Sequence, residues 1–175
     1  VEVGSIALTA GFIGASTGIA KGSGISTSTV TALIDDADVA ARNVTVNATV
    51  VDSLPSIVAN TISVAAALGV GFGGADVTAQ LGSSASARIG ANAKVDARGK
   101  VSVVASNTGT AHTDTEVIAG SIIAAGVTNS TVRATGSTTA AFDGQLLNAT
   151  GLDVLATSRQ TMSANALATA GGLAA

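Results

Sequence analysis

Asp35, Asp36 and Asp38 fall within four residues, and clustered carboxylates supply hard oxygen ligands of the kind Ca²⁺ takes. Asp143 recurs at the same phase in a later repeat, but Gly90 occupies that phase in the repeat between, and no GGxGxD nonapeptide is present. The run Asp35-Asp36-Ala37-Asp38 therefore reads first as a turn, and only weakly as a metal site. His112 is the single histidine, and no serine and aspartate can be arranged around it from the sequence; a surface position between Thr110 and Thr113 is expected. Gly71-Phe72-Gly73-Gly74 lacks the lysine and register of a phosphate loop. Asn43, Asn47, Asn129 and Asn148 each begin an N-x-[ST] triplet, which a threonine-rich chain produces by chance. With no cysteine, thiolate and disulfide chemistry are excluded. No cofactor and no enzymatic activity are expected.

The elements that would position any such site are set by an unusual composition. The 175 residues are 47% hydrophobic, yet only Phe12, Phe72 and Phe142 are aromatic. Charged residues make up 11%, against roughly 25% in an ordinary domain. Alanine, glycine, serine, threonine and valine dominate. A core of such small side chains fills only if backbones approach closely, which suits thin stacked sheets. Net charge is −3 with scattered basic residues, and without aromatic partners for stacking, nucleic-acid binding is unsupported. The loose basic group at Lys94–Lys100, interrupted by Asp96, reads as a solvated loop. The most apolar stretch, Ile62–Phe72, is too short and glycine-rich to span a bilayer, so no membrane insertion is expected.

The stretch from Gly120 to Thr157 occurs three times, with earlier versions at 67–106 and 11–49. Gly11, Ala67 and Gly120 open a glycine-rich run. Ile34, Ile89 and Phe142 close an alternating strand, and Val44, Val101 and Leu152 open another. A period of 51–57 residues signals a repeat architecture, with length changes confined to connectors. The divisions fall at about 1–57, 58–110 and 111–161, with the start of a fourth repeat at 162–175. TAGGLAA at the end matches Ile118–Ala124, and no polar cap is recognisable, so a segment of a longer array or a subunit that joins end to end is expected.

Period two dominates within each repeat. Ile6, Leu8, Ala10 and Phe12 alternate with Ser5, Ala7, Thr9 and Gly11. Gly14, Gly18, Gly22 and Gly24 are expected to break or bend the chain, and Asp52–Asn60, with Pro55, to form the longest connector. Alanine-rich 65–67 and 164–170 lie in phases where other repeats read as strand or turn, which argues against helix. Superposing the repeats gives ladders: Val30/Ala85/Thr138, Ile34/Ile89/Phe142, Val44/Val101/Leu152 and Val46/Val103/Val154. In a parallel stack each residue sits about 4.8 Å above its equivalent, so like must lie on like. The expected fold is all-β, a parallel β-solenoid with uncapped ends and one wide coil per repeat, right-handed by analogy with parallel crossovers.

The order of a glycine-rich apolar arm, a turn and a second strand is carried by Thr29–Asp35 with Asn43–Thr49, Ala85–Gly90 with Gly99–Ser106, and Thr138–Asp143 with Gly151–Thr157. It resembles the repeats of very large bacterial surface proteins, the leukotoxin-type filamentous adhesins and related haemagglutinin-like β-solenoid proteins. The resemblance implies secretion, a fibrous shaft, and adhesion or biofilm-matrix building at an extracellular or cell-surface location. It carries over no binding residue. The expected function is a structural shaft or filament subunit whose partners are copies of itself or adjacent repeats. The alternative is a binding module that uses a flat Thr/Ser face to dock a host or cell-surface glycan or to order water. Sporadic TxT rows and the lack of Tyr and Trp weaken that alternative.

Overall fold

A computed structural model describes residues 2–52 and 57–172. Every regular element among them is a β-strand: β1 (Glu2–Ser26), β2 (Thr29–Ile34), β3 (Asp38–Ala41), β4 (Val44–Val51), β5 (Ile57–Leu81), β6 (Ser84–Ile89), β7 (Lys94–Ala97), β8 (Lys100–Ala134), β9 (Thr138–Phe142), β10 (Gln145–Leu147) and β11 (Gly151–Gly171). They form three sheets, ordered β1-β5-β8-β11 with β4 also on β8, then β2-β6-β9, and β10-β7-β3. Every pairing is parallel.

Paired strands lie one pass of the chain apart. Ile34 pairs with Ile89 and Ile89 with Phe142, offsets of 55 (89 − 34) and 53 (142 − 89) residues. Val44 pairs with Val101 and Val101 with Leu152, offsets of 57 (101 − 44) and 51 (152 − 101). These registers are the ladders that the repeat landmarks set. One landmark is displaced: Gly11 pairs with Ala67, but Ala67 pairs with Ser121, and Gly120 faces Ala66. Register shifts at Gly11/Gly14 and Ala67/Val70 cause the slip. The largest length difference sits in one connector. Val51 pairs with Thr108 and Ile57 with Ala111, so the offset falls from 57 to 54 and leaves three extra residues between Val51 and Ile57. The expected connector is shorter than 52–60, because β5 already begins at Ile57; Pro55 lies outside the described residues.

The alternation of side chains decides which face is buried. Val44, Val46, Ala48, Val50, Ala85, Ala87, Ile89, Ala93, Val95, Ala97, Val101, Val103 and Ala105 form one core where the three sheets converge. Each inward valine is small enough for the three backbones to close around it. Its burial contributes roughly 1.5–3 kcal/mol.

Beyond this core the long strands double back. Thr113 and Ser130 are 17 residues apart in β8, yet their hydroxyl oxygens lie 2.6 Å apart. A straight strand would part them by roughly 55 Å. The outgoing and returning halves therefore face each other, as an arm that projects from the core. Ala79, Leu81 and Ala111 pack together between the halves, with Val132 against them. The glycines do not break the arm: β1 runs unbroken from Glu2 to Ser26, and Gly18 and Gly24 lie buried on its inner face. The halves approach so closely that a Cβ on Gly73 would stand 2.6 Å from Val117 Cγ1. Among the described glycines Gly14 alone has a positive φ, at 115°, where the register shifts. Ile6 and Leu8, whose alternation marks β1 as a strand, point outward rather than into the interior.

Candidate functional site

Asp35, Asp36 and Asp38 are all exposed at the turn between β2 and β3, with Asp36 at φ 50°. Gly90, one pass on, is where Asp35 leans: a Cβ there would collide with the Asp35 carboxylate. Asp143, at the same phase, turns instead to Arg88, whose Nη2 lies 2.8 Å from its Oδ2. Among the described residues no three of His, Asp, Glu and Cys come together as ligands for a metal ion.

Of the stacking positions read from the sequence, Val44, Val46, Ala85, Ile89, Val101 and Val103 lie in the core. Ile34 and Phe142 pack against it half-buried. Val30, Leu152 and Val154 are exposed. Exposure is greatest at the β9–β11 end of the stack; β4, which also pairs on one side only, keeps Val46 buried. Val46, Val103 and Val154 form one ladder, and they are 5%, 0% and 44% exposed respectively. Val103 is covered on both sides by its equivalents, whereas Val154 is covered on one.

Polar residues on the outer faces obey a second rule that single-residue motifs do not show. In-register stacking puts like on like, and carboxylate on carboxylate would repel. Here Asp76, Asp96, Asp114, Asp143 and Asp153 each meet an amide or a cation from the neighbouring pass. Asn129 donates to Asp76 at 2.9 Å, Asn148 to Asp96 at 2.9 Å, and Asn165 to Asp114 at 2.9 Å. Arg88 meets Asp143, and Lys100 meets Asp153. Such exposed pairs contribute little individually, but together they disfavour slipped registers. His112 is half-buried, with Nε2 2.7 Å from Asp114 Oδ2, a contact not expected from the sequence. The Asp114 pKa is lowered, first by the Asn165 amide and then by His112, with partial burial opposing.

A third polar group sits where arm meets core. The Asp52 carboxylate accepts from Ser26 Oγ at 2.9 Å and from Ser83 Oγ at 2.6 Å. Buried Asn107 donates to the Ser83 carbonyl at 2.5 Å. These bonds tie the end of the returning arm to the last core strand.

The remaining candidate surface is the sheet edges themselves. β1, β2, β3 and β4 each pair on one side only, and so do β9, β10 and β11. The returning half of β8 pairs with β5 alone. These strands leave two opposite rows of backbone N–H and C=O groups, ready to template further strands. A separate apolar face covers the outside of the arm, with Ile19 at 68% and Val127 at 70% exposed, and it ends at the row Lys21, Asp76 and Asn129. No protein-family model, no curated protein and no solved structure matches the chain.

Proposed function

We propose that this chain is a parallel β-solenoid of about three repeats of 51–57 residues, serving as the shaft or a subunit of an extracellular bacterial filament or adhesin. Assembly proceeds by end-to-end strand stacking. The observation that supports this reading is the unpaired edge at β9, β10 and β11, where Val154 is 44% exposed although its ladder equivalents Val46 and Val103 are buried. Backbone hydrogen bonds along the axis and small interlocking side chains make the structure stiff without a large globular core. The open edges, normally a liability, become the means of growth. The extracellular assignment rests on the sequence resemblance to adhesin repeats. Outward positions of β2, β6 and β9 mix Thr31, Ser86 and Thr139 with Leu33, Arg88 and Ala141, which does not favour a regular Thr/Ser binding face.

Electron microscopy and sedimentation of the purified chain test the reading. The expected outcome is filaments whose axial repeat corresponds to one chain. Discrete monomers at all concentrations would sink it.

A further inference from the structure

The two open edges match each other except in the outgoing half of the arm, where the chain holds four layers rather than three. β2 and β9 are the outer strands of one sheet, β3 and β10 of another. β4 and the first part of β11 share β8 as their neighbour: Thr49 and Thr157 both pair with Ser106. The returning half of β1 lies two passes from the returning half of β8, whereas the outgoing half lies three passes from the later part of β11.

Building on the filament reading, we propose that the partner at each open edge is a second copy of this chain, docked in the register by which successive passes already stack, with residues 2–11 of the incoming molecule giving up the layer that residues 163–171 already fill. Val30–Ile34 of one molecule then lies on Thr138–Phe142 of the next, and Val44–Val51 on Leu152–Arg159. This seats Val44 on Leu152, Val46 on Val154 and Ala48 on Ala156, covering side chains that are 41% and 44% exposed at Leu152 and Val154. The equivalent positions of the middle pass, Val101 and Val103, are fully buried, and those of the first pass, Val44 and Val46, are nearly so, leaving Leu152 and Val154 as the exposed end of each ladder. The register also sets Ile34 on Phe142 and Lys21 beside Asn129. Asp35 comes beside Asp143, whose carboxylate Arg88 already holds. A shift of one residue would turn the apolar set of every strand outward, and a shift of two would break these ladders.

The chain has no cysteine, so engineered pairs report without background. Thr49 and Thr157 are exposed and lie two layers apart within one molecule, with Ser106 between them. That separation, about 9.6 Å, is beyond disulfide reach, whereas between stacked molecules the two positions would be about 4.8 Å apart. The double variant Thr49→Cys/Thr157→Cys is expected to give a ladder of covalent oligomers on mild oxidation, seen on a non-reducing gel. Thr49→Cys/Arg159→Cys, displaced by two residues to about 8 Å, is expected to give at least about tenfold less. Equal linkage in both variants, or linkage only in the displaced pair, would overturn the register. Assembly without either linkage would also overturn it and place the molecules side by side through the apolar arm face. A wild-type chain that stays monomeric in sedimentation would instead remove the filament reading, and this inference with it.

Discussion

Asn165 Nδ2 donates to Asp114 Oδ1 at 2.9 Å, one pass of the chain along from the acid it binds. This bond is the largest influence holding the Asp114 pKa below the ordinary 3.8, ahead of His112, while partial desolvation works against it. Because the folded-state pKa is depressed, the ionised acid favours the fold. That contribution is present above about pH 4 and is lost as pH falls through the folded value. Asn165→Ala is expected to move the Asp114 pKa back towards the ordinary range. An NMR titration of its carboxyl resonance checks this, and an unmoved midpoint would assign the depression to His112 instead.

Val103 and Val154 occupy one ladder but differ in cover. Val103→Ala opens a cavity between filled layers and is expected to cost about 1–3 kcal/mol. Val154→Ala, at a half-exposed site, is expected to cost less than half as much in the monomer. Urea unfolding of both variants at low protein concentration makes the comparison. Equal losses would show that cover along the stack is not what stabilises the ladder.

Asp52 bridges Ser26 and Ser83, joining the returning arm to the core. Asp52→Ala strands two hydroxyls and is expected to destabilise by about 1–3 kcal/mol. Hydrogen exchange separates local from global effects: protection should fall first around residues 81–84. Uniform loss of protection across β6 and β7 would argue against a local clasp.

Gly144 sits where a Cβ would lie 2.6 Å from the Ala93 carbonyl oxygen and 2.9 Å from that of Gly90. Both obstacles are backbone, so the neighbouring pass must move. Gly144→Ala is expected to destabilise by roughly 1–3 kcal/mol. Gly151→Ala, with open space around its Cβ, should be close to neutral. Thermal unfolding of the two variants distinguishes them, and similar melting points would mean that the passes are less tightly stacked at the β9–β10 turn.

The strand character of this chain and the pairing of its passes were legible from the amino-acid sequence. Period-two alternation needs no tertiary information, and landmarks such as Ile34, Ile89 and Phe142 carry the register because only like side chains stack without voids. What the sequence could not decide was which face of the arm is inside. Ile6 and Leu8 alternate with smaller residues, and hydrophobicity alone would have buried them. The folded arm instead buries mainly glycine, alanine and serine, with Val77, Leu81 and Val117 among them, because the two backbone layers come so close in places, as at Gly73 against Val117, that no further side chain fits. The same holds for the polar pairs. Asp114 and Asn165 are separated by 51 residues, and only the stacking of one pass on the next brings their side chains to hydrogen-bonding distance.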